Sequence, residues 1–245
     1  MIAIPAIDLR DGACVQLVGG AYENERVRLD DPVAVARHWR ELGFSELHVA
    51  DLDAATGRGC NDSAVQRLLS ARDLVVMQVG GGVRSLERAR VLIGAGAARV
   101  VVGTRALEDP AWLQRVVAVW PGRVVVAVDV KNAKPVVRGW SAALHANVGD
   151  VIASLNDLPL ARLVVTAVDG EGRLRGPDLA LIESVMRASR HPVIAAGGIT
   201  TLDDLRSLHL LGVSGAVVGM ALYTGDMDAA ACAAEFGGLN ERSRA

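Results

Sequence analysis

A closed (β/α)8 TIM barrel of the α/β class, a single domain built from two similar half-barrels, is the fold this sequence predicts. Three observations carry that expectation: eight short β-branched runs, amphipathic helical patterns between them, and an internal repeat about half the chain long. With 245 residues, 51% of them hydrophobic, the chain has enough apolar surface for a large core.

The runs, in order, are IAIPAID (2–8), ELHVADL (46–52), LVVMQVG (74–80), RVVVG (99–103), RVVVAVD (123–129), RLVVTAV (162–168), PVIAAGG (192–198) and GAVVG (215–219). Their continuous apolar character marks parallel strands buried on both faces. Helical patterns at 32–43, 86–95, 109–119, 178–189 and 202–211 would cover the outer face. Eight such units suit a closed barrel better than an open doubly wound sheet, which would show fewer strands and a nucleotide fingerprint. No linker or low-complexity tract interrupts the chain, so one domain over 1–245 is expected.

The repeat sharpens this. Moving residues 81–107 forward by 116 superimposes Gly81 on Gly197, Gly82 on Gly198, Gly96 on Gly212 and Gly103 on Gly219. The same shift lays Leu47, Val49 and Asp53 on Leu163, Val165 and Asp169, while Asp8 and Asp129 are 121 apart. Half-barrels of about 1–122 and 123–245 are expected, and the long period excludes a solenoid.

Composition narrows the function. A net charge of −2 with no basic run gives no footprint for nucleic acid or an anionic membrane. No apolar stretch reaches the roughly 20 residues that span a bilayer, so a cytoplasmic protein is expected. Cys14, Cys60 and Cys232 are scattered without CxxC spacing, and the five histidines form no close pair, so neither disulfide nor metal is expected.

In such a barrel the chemistry lies at the carboxyl ends of the strands. Asp8 and Asp129 end the first and fifth runs, diametrically opposed in an eight-stranded ring, which suits a general base facing a general acid. Glycines end the third and seventh runs (Gly81, Gly82; Gly197, Gly198) and the fourth and eighth (Gly103, Gly219), the latter followed by Thr104 and Met220. Glycine-lined strand ends leading into helices let backbone N–H groups approach phosphate, so two matched sites point to a ligand with a phosphate at each end. Trp140, in the loop after the fifth run, could stack on a planar heterocycle or pack as a lid on its own barrel.

The motifs IPAIDLRDG, HVADLDAA, QVGGGVRS, GAARVVVGTRAL, VAVDVKNAKPVVRGW, GRLRGPD, AAGGI and AVVGMALYTG resemble, over essentially the whole chain, the phosphoribosylformimino-aminoimidazole carboxamide ribotide (ProFAR) isomerases of histidine biosynthesis. The resemblance implies an Amadori rearrangement of a bisphosphorylated ribotide, an aminoaldose becoming an aminoketose, by a monomer needing no cofactor or metal. It implies that Asp8 removes the proton from the sugar carbon beside the anomeric centre, and that Asp129 protonates the ring oxygen with help from Thr166. It further implies that Arg84 contacts the substrate and that Trp140 stacks on it. The family commonly reads Thr-Asp-x-x-Arg-Asp-Gly after strand six; here Thr166 is followed by Ala167, Val168, Asp169, Gly170, Glu171 and Gly172. Ala196 stands where Ser is common and Met220 where Lys often follows, which implies a weaker second phosphate contact. Three alternatives remain at this level: a dual-substrate isomerase also acting on phosphoribosyl anthranilate, the cyclase subunit of imidazole glycerol phosphate synthase, and a non-catalytic barrel binding phosphorylated ligands. The cyclases typically carry Cys where this chain has Ala6.

Overall fold

In the computed structural model, residues 1–71 and 75–238 are described. Eight parallel strands close into a ring: β1 (Ile2–Arg10), β2 (Glu46–Asp51), β3 (Val76–Gly80), β4 (Arg99–Val102), β5 (Val124–Lys131), β6 (Arg162–Ala167), β7 (Val193–Ala196) and β8 (Gly215–Val218). Each pairs with the next, and β1 closes on β8 with Ile2 beside Gly215. All eight expected runs are strands; of the third, Leu74 lies outside the described residues, as do residues 239–245 of the expected domain.

Helices α1 (Pro32–Leu42), α2 (Asp62–Ser70), α3 (Leu86–Ala95), α4 (Pro110–Val119), α5 (Val148–Leu155), α6 (Leu179–Ala188), α7 (Leu202–Leu210) and α8 (Ala229–Phe236) surround the ring. Their starts are chemically specified. Asp31 and Asp109 cap α1 and α4 ahead of a first-turn proline, and Thr201 with Asp204 forms a capping box on α7. Helices α2, α5 and α8 were not among the named helical patterns. None of the described helices is long and apolar enough to cross a membrane.

Side-chain alternation sorts each strand between two cores. Ala3, Ile7 and Leu9 of β1 and Val124, Val126, Val128 and Val130 of β5 pack outward against the helices. Ile4, Val125, Val164 and Ile194 fill the barrel interior. The inward set therefore continues as Ala6 then Asp8 on β1, Ala127 then Asp129 on β5, and Thr166 on β6. The small Ala6 and Ala127 leave space above the packed layer, and both line the cavity there. At the other end, the first residues of three alternate strands form one layer, in which Glu46 accepts from Arg99 at 3.2 Å and Arg162 at 3.0 Å.

One expectation is corrected. Asp8 and Asp129 do not end their strands, because β1 and β5 run two residues further into hairpins with Ala13–Leu17 and Lys134–Val137. The pairing matches in the two halves: Asp8 lies opposite Val15, and Asp129 opposite Val136. Both two-residue turns have positive φ at each centre, Asp11 and Gly12 at 48° and 79°, Asn132 and Ala133 at 49° and 58°, as a primed hairpin turn requires.

Candidate active site

A cavity of about 320 Å³ opens at the carboxyl end of the barrel. It collects every candidate singled out above. Asp8, Asp129 and Thr166 face it from the ring; Gly81, Gly82, Arg84, Gly103 and Thr104 line it on one side, Gly197, Gly198, Gly219 and Met220 on the other, and Trp140 lies over it.

The glycines divide by cause. A Cβ on Gly81 would lie 2.2 Å from the carbonyl oxygen of Asp51, and one on Gly197 would lie 2.4 Å from that of Ala167, with φ of 94° and 93°. Both are glycine because the neighbouring strand leaves no room. Gly103 differs: its Cβ would meet nothing nearer than Ala127 at 3.9 Å, so a side chain would project into open cavity. Gly103 and Gly219 share one conformation (φ −116°, ψ −106° and φ −106°, ψ −105°), and each starts a short helix without a side-chain cap. Gly197→Ala is expected to cost about 3 kcal/mol or more, read as a lower urea midpoint. Gly57→Ala, where φ is 74° but the space is open, should cost about 1 kcal/mol.

Three loops meet over the cavity. The backbone N–H of Gly19 donates to the carbonyl of Glu171 at 3.0 Å, joining the loops after β1 and β6. The Trp140 ring lies against Gly20, whose Cβ would fall 2.3 Å from Cζ3, and its Nε1 donates to Asp129 Oδ2 at 2.8 Å. In this structure the indole is thus both a lid and a hydrogen-bond donor to the acid candidate.

The electrostatics centre on three carboxyl groups. Burial pushes Asp8 from its ordinary 3.8 up to about 7. Burial also raises Asp129, opposed by hydrogen bonds from Thr166 and Trp140 that favour its ionised form. Glu171 is raised to about 7 by burial and then by the charges of Asp8 and Asp129. In the sequence Glu171 stands out only as a changed loop residue, and nothing local to the chain shows that its side chain turns inward onto two aspartates.

Two other lining residues were missed. His48 is drawn down to about 4 by burial and meets Gln78 Nε2 through its Nδ1 at 2.8 Å, so it is a neutral imidazole at neutral pH. Gln16, only 3% exposed, packs against Gly219, and its Nε2 has no partner among the described residues. Arg84 donates to the carbonyl of Ala55 at 2.7 Å, and with Arg105 supplies the cationic side chains among the described lining residues. Both belong to the first half. The Gly197–Gly219 end offers backbone N–H groups and neutral side chains instead.

Comparison with known proteins places the chain among relatives of one name. A relative from Myxococcus xanthus (strain DK1622) is 52% identical over 238 residues, 97% of this chain and 100% of the relative. One from Gemmatimonas aurantiaca is 54% identical over 238 residues with the same coverage, and one from Synechococcus sp. (strain RCC307) is 45% identical over 226 residues, 92% of this chain and 89% of its own. All three are named 1-(5-phosphoribosyl)-5-((5-phosphoribosylamino)methylideneamino) imidazole-4-carboxamide isomerase. A family model described as Histidine biosynthesis protein matches residues 2–228, nearly the whole described barrel, and the chain belongs to that family.

Proposed function

We propose that the chain converts ProFAR, the bis-phosphoribosyl compound in its relatives' name, to the corresponding aminoketose, with Asp8 as general base and Asp129 as general acid. It is an intramolecular aldose–ketose isomerase of histidine biosynthesis. The observation that carries the assignment of roles is the placing of Asp8 and Asp129 on opposite strands of one ring, side chains inward, between two glycine ends of matched conformation.

The reaction needs a proton removed at the carbon beside the anomeric centre and a proton supplied to the ring oxygen. A carboxyl group near pKa 7 is present in both forms at neutral pH, which suits it to either task. With the ring opened, the resulting imine accepts the electron pair released on deprotonation, so the substrate supplies its own electron sink. The two ribose phosphates would lie at the Gly81–Gly103 and Gly197–Gly219 ends, the first beside Arg84 and the second beside Gln16 and backbone N–H groups. The enzyme acts on this small molecule as a cytoplasmic monomer.

Glu171 supports a second reading of the acid. Unlike Asp129, it has no hydrogen bond among the described residues that favours its ionised form, and two neighbouring carboxylates oppose its ionisation. The test of the function is an assay of purified protein with ProFAR, with the ketose product detected by coupling to the downstream synthase. Turnover supports the reading; bound but unchanged ProFAR rejects it.

A further inference from the structure

The two hairpins that carry Asp8 and Asp129 are held in the same way, by a carboxylate from the loop after the next strand of the ring. Asp11, three residues after Asp8, donates its backbone N–H to Asp53 Oδ2 at 2.8 Å. Asn132, three residues after Asp129, donates its backbone N–H to Asp169 Oδ2 at 2.7 Å. Asp53 follows β2 and Asp169 follows β6, and they are 116 residues apart, the shift that relates Gly81 to Gly197. In both turns the bonded N–H belongs to the first central residue, whose amide the strand ladder does not use.

We infer that Asp53 and Asp169 are a matched pair of positioning residues, each clamping the hairpin tip beyond one catalytic aspartate to the loop of the neighbouring strand. The inference rests on the isomerase reading above. Asp53 is the more embedded: it also accepts from Asn61 Nδ2 at 2.9 Å and from the Tyr22 hydroxyl at 3.2 Å, and Asn61 in turn receives the N–H of Gly12 at 2.7 Å. Burial would raise Asp53, but these donors outweigh it and hold the group below its ordinary value, so it clamps as a carboxylate.

Asp169 is exposed, and its bond to Asn132 is the simpler case. That bond nevertheless links three working parts. The hairpin it holds carries Asp129 outward and returns through Lys134–Val137 towards Trp140, and Glu171 lies two residues beyond Asp169 on the same short loop. Loss of the clamp should loosen the relation between Asp129, its indole donor and Glu171 without removing any group that touches substrate.

The experiment compares Asp169→Ala with Asp169→Asn, since an asparagine side-chain oxygen still accepts from Asn132. Asp169→Ala is expected to lower kcat about tenfold with KM within about twofold, the pattern of misplaced catalytic groups. Asp169→Asn should return most of that rate, and thermal midpoints should match throughout. Independently of substrate, hydrogen exchange at the Asn132 amide should speed up in Asp169→Ala and stay slow in Asp169→Asn. Unchanged kcat or unchanged Asn132 exchange in Asp169→Ala overturns the clamp, as does an Asn variant as slow as the Ala variant. Absence of ProFAR turnover by the wild-type protein would instead strike the isomerase reading, leaving the exchange measurement to judge the clamp. Asp53→Asn extends the comparison to the first half, with Asp11 exchange as its readout.

Discussion

Asp8→Asn should reduce kcat by about 10³-fold, within the range of roughly 10² to 10⁴ typical of a positioned acid or base, and yet yield a more stable protein above pH 7. The carboxamide keeps the size and polarity of the side chain but cannot take a proton from carbon. The stability gain follows from proton linkage. The folded chain holds Asp8 protonated up to about pH 7, whereas the unfolded chain releases that proton near its ordinary 3.8. Between those values the unfolded state binds fewer protons, so wild-type stability falls as pH rises through that window. Asparagine does not titrate. The variant should therefore exceed wild type by an amount on the order of 2 kcal/mol at pH 8, and the advantage should shrink towards pH 4. Thermal melts at pH 5 and pH 8, alongside the ProFAR assay, check both halves. A variant retaining a rate within tenfold of wild type would remove Asp8 from the role of base.

The second large effect separates the two candidate acids. Glu171→Gln removes a negative charge that faces Asp8 and Asp129, so the acidic limb of the kcat/KM profile, set by deprotonation of the base, should move to lower pH. If Asp129 is the acid, the rate at the optimum stays within about tenfold and a basic limb remains. Asp129→Asn then costs about 10² to 10⁴ in kcat and erases that limb. The reverse pattern, a large loss and no basic limb in Glu171→Gln, transfers the role to Glu171. Three carboxyl groups sharing one cavity titrate as a set, so each apparent value belongs to the trio and both variants should be measured across the full pH range.

The barrel was legible because its signals are local and repeated: buried parallel strands are apolar along their whole length, and outer helices carry their own caps. The spacing of the repeat exposed the paired glycines, and the matching places of Asp8 and Asp129 in the first and fifth runs exposed the aspartates, since chain symmetry becomes spatial symmetry in a closed ring. Of the two hairpins, the one after β5 was hidden. The second turn, Asn132 followed by Ala133, is unlike an ordinary Asn-Gly signal and its return strand KPVV is short, whereas the first, Asp11-Gly12 before ACVQL, is a hairpin signal that the sequence did carry. Glu171, His48 and Gln16 were missed for another reason. Each occupies the cavity through the packing of distant loops or an inward strand position, and a chain read linearly does not show which side chains converge.

The pairing that closes the ring has a consequence for synthesis. β1 finds its final partner in β8, where Ile2 meets Gly215, so 213 residues must follow Ile2 from the ribosome before that seam can form (215 − 2 = 213). At roughly 5–20 residues per second this is a wait of about 10–40 s, during which one side of β1 has no native neighbour. An unpaired apolar strand is a template for pairing with another chain. Ile2 donates its N–H to the carbonyl of Ser214 at 3.2 Å, and since backbone groups alternate sides along a strand, the amides of Ile2, Ile4 and Ala6 are the ones left open until β8 is made.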